Sequence, residues 1–218
     1  MAVMKLPMVM PANNVKTARE LNREYPGRLG VLLTPGNWEH PSPVPFVLDN
    51  GRYSSFHSGK KWNENKYFDF LRLATEVDYD PLWIVVPDTP QNGEATIEEW
   101  NVWAKRLQSY GWNLALAVQN GMTPAIVRSL DVQPDVVFVG GTTEWKWRYA
   151  KDWCREFDRV HVGRVGTENK LWRAHRVGAE SSDSNVWRPI GQHLISLRRY
   201  LEGSEKPEVD NQRGFGLI

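Results

Sequence analysis

At six places in this 218-residue chain, residues able to do chemistry stand directly at the end of a short apolar run. Asp49-Asn50-Gly51 follows run 46–48, Asp88 follows run 82–86, and Gln119-Asn120-Gly121 follows run 114–118. Gly140-Gly141-Thr142 follows run 136–139, and Gly163-Arg164-Val165-Gly166-Thr167 follows run 160–162. The weaker run 179–182 ends at Ser182-Asp183-Ser184. Two carboxylates can cut a glycosidic bond, one as nucleophile and the other moving protons. An Asp and a Gln beside a Gly-Gly turn carry the donors and acceptors needed to read a purine edge. Lys146, Arg148, Arg164, Lys170, Arg173 and Arg188 fall after the later runs and could hold phosphates; residues 163–167, opening a helix, could add backbone N–H donors. Each feature has a bland reading too. An Asp after a strand commonly caps a helix or forms a turn, a Gly pair is a tight turn, and a helical cation is a solvated face. The coincidence of these types at successive strand ends is what argues for a site.

The elements that must position them follow from periodicity. The runs 6–10, 29–33, 46–48, 82–86, 114–118, 136–139, 160–162 and 179–182 are short and bounded by Gly, Pro, Asp or Asn, as buried parallel strands are. Helical spacing joins Val15, Ala18, Leu21 and Tyr25, and again Tyr67, Phe70, Leu71, Ala74 and Val77. Thr96-Ile97-Glu98-Glu99 reads as a capping box, and Thr123-Pro124 as an N-cap followed by Pro at the first helical position. Further helices are expected at about 144–157, 167–177 and 186–201. Repeated βα units predict an α/β fold, and eight strands in this length favour a (β/α)8 TIM barrel, with its chemistry at the C-terminal strand ends. A single barrel domain over 1–202 and a polar tail over 203–218 are expected. The Pro-rich stretch 41–45 reads as a rigid entry into the third strand, and 52–65 as a long polar loop suited to be a lid.

Composition narrows the classes. Lys+Arg total 27 against 26 Asp+Glu, so a nucleic-acid site would have to be a local basic patch. One cysteine, Cys154, excludes an internal disulfide and a multi-thiolate zinc site, and the five histidines lack metal-ligand spacing. No apolar run approaches the ~20 residues of a membrane span. The expectation is a cytoplasmic protein with no metal and no membrane partner. Eleven tryptophans stand out; core packing explains most, with base stacking the alternative for some.

The ordered strand ends resemble those of the tRNA-guanine transglycosylase superfamily. Residues 49–56, Asp-Asn-Gly-Arg-Tyr-Ser-Ser-Phe, resemble its Asp-Ser-Gly-Gly-Phe-Gln segment. Val118-Gln119-Asn120-Gly121 resembles Val-Gln-Gly-Gly, Phe138-Val139-Gly140-Gly141 its Gly turn, and residues 162–167 its Gly-Val-Gly-Thr. Residues 178–184 resemble the segment ending in the nucleophilic aspartate. The resemblance implies Asp183 as nucleophile on C1′, Asp49 as general acid/base, and Asp88, Gln119, Asn50 and the Gly140-Gly141 backbone as the base-binding set. It implies a double displacement of guanine by a free 7-deazaguanine base through a covalent glycosyl-enzyme, without cofactor. The tRNA enzymes carry a zinc site of three Cys and a His and a longer chain; this sequence is short, has one Cys, and replaces the motif's Ser and second Gly by Asn50 and Arg52. It looks most like the short, zinc-free 7-deazaguanine DNA transglycosylases of phages and bacterial modification islands. DNA is therefore the preferred partner, with tRNA the alternative, and the tRNA members' dimers allow a homodimer. A base-excising glycosylase or nucleosidase on the same scaffold, or a non-catalytic nucleic-acid-binding paralogue, stays open at this level.

Overall fold

The computed structural model describes residues 6–187 and 191–203; Arg188 and 204–218 lie outside the described residues. Eight parallel strands form one sheet: β1 (Met8–Pro11), β2 (Val31–Leu33), β3 (Phe46–Leu48), β4 (Ile84–Val85), β5 (Leu114–Val118), β6 (Val136–Val139), β7 (Val160–Val162) and β8 (Ser181–Ser184). Their order around the sheet is β1-β8-β7-β6-β5-β4-β3-β2. Isolated parallel bridges Val9–Leu29 and Ala12–Leu32 join the two edge strands, so the sheet is nearly closed. The helices among the described residues are α1 (Val15–Glu24), α2 (Arg52–Ser58), α3 (Glu64–Ala74), α4 (Gly93–Leu107), α5 (Pro124–Arg128), α6 (Thr143–Glu156), α7 (Glu168–Val177) and α8 (Gln192–Leu201). This is the expected α/β architecture of the TIM-barrel type.

Burial divides the apolar residues into two cores, and the two-residue period of a strand is the reason. One phase of each strand faces the helices: Val9, Val31, Leu33, Phe46, Leu48, Leu114, Leu116, Val118, Val137, Val139, Val160 and Val162 pack with the inner helix faces, including Leu21, Leu71, Trp100 and Leu171. The other phase fills the barrel: Met10, Leu32, Val47, Trp83, Val85, Ala115, Ala117 and Val136, with Phe138 against them. Buried on both faces, the strands read as unbroken apolar runs. The helices start on side-chain caps that satisfy first-turn N–H groups. Asn14, Asn63, Asn92, Thr123, Thr142 and Thr167 each accept from a backbone N–H three residues on.

Eight tryptophans are buried and three half-buried, so packing accounts for this composition. Three boundaries differ from expectation. Residues 52–58 form helix α2 rather than loop; it buries none of its residues, so it has no apolar stripe to betray it. Gly51 (φ 74°) starts it and Gly59 (φ 65°) ends it, both in the left-handed region. Thr96 is not a cap: α4 begins four residues earlier on Asn92, and the buried Thr96 hydroxyl donates to the carbonyl of Asn92 at 2.7 Å. The last strand runs two residues further than its apolar run, which places Asp183 inside β8 rather than after it.

Candidate active site

The inward phase of the strands carries the site. On β3 the phase that buries Val47 in the barrel brings up Asp49 two residues on. On β5, Ala115 and Ala117 lead to Gln119; on β6, Val136 and Phe138 lead to Gly140. On β7, His161 leads to Gly163, and on β8, Ser181 leads to Asp183. Above this apolar layer opens a cavity of about 560 Å³, lined by Asp49, Asn50, Asp88, Gln119, Gly140, Gly141, Arg164, Lys170 and Asp183. Nine of the thirteen residues singled out in the sequence thus meet at one mouth of the barrel.

One wall is a buried polar cluster centred on Asp88. Asn50 Nδ2 donates to Asp88 Oδ1 at 2.8 Å and to the Val86 carbonyl at 2.9 Å. Gln119 Nε2 donates to Asp88 Oδ2 at 2.7 Å, while Gln119 Oε1 accepts from the backbone N–H groups of Gln91 (2.9 Å) and Gly141 (2.8 Å). A Cβ at Gly140 would stand 2.8 Å from Gln119 Nε2 and would have to displace the amide that donates to Asp88. The carboxylate of Asp88 keeps further lone pairs for a ligand's N–H groups, whereas Gln119 spends both acceptor sites on the fold. Gln119 therefore builds the wall as much as it presents a reading edge.

The opposite wall holds Asp183. Its Oδ1 accepts from the backbone N–H of Arg164 at 3.1 Å and lies 3.0 Å from His161 Nε2. His161 Nδ1 lies 2.8 Å from Ser181 Oγ. The His161 ring is fully buried, edge-on to Trp83 and tilted against Phe138 with centroids 4.6 Å apart. Arg164 is a non-glycine residue at φ 59°, a left-handed conformation that costs on the order of 1 kcal/mol. Its guanidinium donates to the Gly141 carbonyl and lies 4.5 Å over the Tyr53 ring, which ties the strained turn to the rim.

The two facing carboxylates sit in different surroundings. Asp49 accepts from the Gly51 N–H at 2.6 Å, which favours its ionised form. Removal from water outweighs that bond, and with the nearby negative charges of Asp88 and Asp183 it pushes the Asp49 pKa up to about 7. Asp88 is pushed up to about 6 by burial, against the opposing bonds from Asn50 and Gln119 and the charge of Arg52. Asp183 is buried as well, its Oδ1 beside the Arg164 N–H and the His161 ring. Two carboxyls lining one pocket, one of them pushed toward neutrality, are groups that could divide proton transfer and nucleophilic attack between them.

The cationic expectations divide. Arg164 and Lys170 line the cavity. Lys146 is corrected: it is buried at 1% exposure, and its ammonium donates to the Gly163 carbonyl beneath the floor, where no phosphate can reach it. Burial, the like charges of Arg164 and Lys170, and the opposing charge of Asp183 leave its pKa lowered to about 7. Arg148 pairs with Glu144 at 3.1 Å on the exposed face of α6, and Arg173 rests over the Trp147 ring at 4.7 Å; neither lines the cavity. Arg188 lies outside the described residues. No tryptophan lines the cavity; its aromatic groups are Tyr53, His57 and Phe138. Cys154, half-buried and pushed up to about 12 by burial, stays a protonated thiol with no part in the site.

Sequence reasoning missed His161 and the burial of Lys146. The signal for His161 was present: a His between two valines on a strand, two residues before a site glycine, must face either the core or the barrel axis. No group of three or more His, Cys, Asp or Glu among the described residues is arranged to hold a metal. No family model matches the chain, and no curated protein matches it.

Proposed function

We propose that the protein is a nucleic-acid base transglycosylase that exchanges guanine for a 7-deazaguanine base, with DNA the preferred polymer. The observation that carries this reading is that Asp49 and Asp183 line one cavity. Beside them lies the Asp88 cluster, whose carboxylate can accept from a purine's N–H edge. The resemblance of the strand ends and the chain's single cysteine favour the short DNA branch.

In this mechanism the target nucleotide leaves its stack, at a cost of a few kcal/mol, and enters the mouth. Asp183 attacks C1′, the C1′–N9 bond breaks, and the departing purine keeps the electron pair. Asp49, about half protonated at neutral pH because its pKa is near 7, supplies the proton to that base. An incoming deazaguanine then attacks C1′ through N9, the Asp183 ester bond breaks, and ionised Asp49 takes the N9 proton. Arg164 and Lys170, on the cavity wall, would hold the flanking phosphates.

The test is release of labelled guanine from DNA, and in parallel from tRNA, with and without free 7-cyano-7-deazaguanine. Release that depends on the free base and leaves strands resistant to hot alkali is exchange; alkali-labile abasic sites are hydrolysis. Asp183→Asn is expected to abolish covalent-adduct formation while nucleic acid still binds. Release from neither polymer ends the reading.

A further inference from the structure

The Gly163–Arg164 peptide unit is gripped at both ends. Its carbonyl oxygen accepts from the buried ammonium of Lys146, and its N–H donates to Asp183 Oδ1 at 3.1 Å. In a trans peptide the C=O and N–H point in opposite directions, so fixing one aims the other. A hydrogen bond to the carbonyl also polarises the unit and strengthens the N–H as a donor. The turn is not relaxed: Arg164 is left-handed at φ 59°, and Gly163 admits no side chain, since a Cβ would meet the Phe138 ring at 2.6 Å. Lys146 is buried to 1% exposure, and whether its amine is charged or neutral it has N–H groups to donate to that carbonyl.

From this geometry we infer that Lys146 is a positioning residue for Asp183, acting through the Gly163–Arg164 peptide and in concert with His161 on the same oxygen. Lys146 touches no substrate. It turns the peptide so that its N–H meets Oδ1, the same oxygen that the His161 ring approaches. With Asp183 ionised, His161 Nε2–H donates to it, and Nδ1 of the neutral ring accepts from the Ser181 hydroxyl. Both donors land on Oδ1, which assigns attack to Oδ2. The helix α6 thereby reaches the reacting group through a backbone relay rather than through a side chain in the cavity.

The geometric part stands by itself; the catalytic consequence rests on the base-exchange reading. The experiment has an arm for each. In a crystal structure of Lys146→Met, the peptide is expected to rotate and the Arg164 N to Asp183 Oδ1 distance to open beyond roughly 3.5 Å, the limit of a hydrogen bond. An unchanged peptide and contact would overturn the inference. In the exchange of labelled free guanine into guanine-containing DNA, Lys146→Met is expected to lower kcat about 10- to 100-fold, the scale of a small misplacement of a reacting group, with KM for guanine within about twofold. Lys146→Arg, which keeps a donor, is expected to recover most of that loss; equal losses in Met and Arg variants, or wild-type kcat in Met, count against the relay. If Lys146→Met does not accumulate, Lys146→Gln is read in both arms by the same criteria. A wild-type protein that exchanges no base refutes the proposed function alone, because the crystallographic arm still decides the peptide's role.

Discussion

The two ends of the barrel are built from the same strands and are chemically unlike. The C-terminal mouth opens on Asp49, Asp88 and Asp183. At the N-terminal end a cavity of about 490 Å³ is lined by Leu6, Met8, Met10, Leu82 and Trp83, with Arg28 and the Arg159–Glu180 ion pair (3.3 Å) at its edge. Strand β8 contributes Ser181 to the lower cavity and Asp183 and Ser184 to the upper one. Between them Trp83, Phe138 and His161 pack ring against ring and divide the interior. The difference teaches where polar groups can be kept. At the mouth, the loops after the strands supply backbone N–H donors, Gly51 to Asp49 and Arg164 to Asp183, that offset part of the cost of holding carboxylates out of water. The lower end has mostly apolar side chains facing inward, and Arg159 pairs with Glu180 at its edge.

Substitutions at the two ends should separate accordingly. The largest effect is expected at Asp49. If the protein exchanges bases as proposed, Asp49→Asn should lower kcat for that reaction by about 10²- to 10⁴-fold, the usual weight of a general acid/base, with binding of nucleic acid retained. The same variant should be more stable than wild type at pH 8. The folded-state pKa of Asp49 is about 7, above the ~4 of an unfolded aspartate, so the folded protein holds the proton more tightly. Wild-type stability therefore declines as pH rises from about 4 to about 7, and the advantage of Asn should grow over that window to ~2–4 kcal/mol. Urea unfolding at pH 5 and pH 8 measures it; a pH-independent difference would mean that Asp49 is ionised without cost.

Trp83 tests the partition. Trp83→Ala removes a side chain buried to 1% exposure, and a loss of about 3–5 kcal/mol is expected in chemical denaturation. A loss below about 1 kcal/mol would mean that the rings do not hold the two ends apart.

Asn50 tests the Asp88 cluster. Its side chain donates to Asp88 and Val86 and accepts from the Arg52 N–H at 2.8 Å. Asn50→Ala should cost about 1–3 kcal/mol by leaving buried partners unpaired. It should also weaken binding of free guanine, read by calorimetry, if Asp88 reads the base.

The smallest effect belongs to the lower rim. Arg159→Ala breaks an ion pair whose members are each about one-third exposed, so 0–1 kcal/mol and unchanged exchange kinetics are expected. A large kinetic effect there would contradict the division of labour between the ends.

Much of this was legible in one dimension because a parallel barrel imposes a simple grammar. Short apolar runs located the strands, and the residues standing at their ends located the mouth, since a βα loop has nowhere else to go. Asp49, Asp88, Gln119, Gly140 and Gly141 were found that way. Helix α2 was not, because it lies on the rim with both sides wet and lacks the apolar period that marks a helix. The Thr96 box failed for a related reason. Its spacing fits a cap, but an Asn four residues earlier offers the first-turn N–H groups an acceptor, and Thr96 then finds its partner inside the helix.

Local chemistry and periodicity thus determined the barrel, its polar end and the carboxylates on it. Which cations reach the cavity, and which residues act behind it, was decided only in three dimensions. Lys146 and Arg148 are two residues apart on one helix, yet one ammonium ends buried on the Gly163 carbonyl and the other cation ends in solvent beside Glu144. A helix turns about 100° per residue, so residues two apart point to opposite sides. The facing of α6 toward β7 is set by the packing of Trp147, Ala150 and Trp153, not by any property of the lysine itself. His161 likewise acquires its partners from strand register, which sets it against Ser181 in a chain segment twenty residues away.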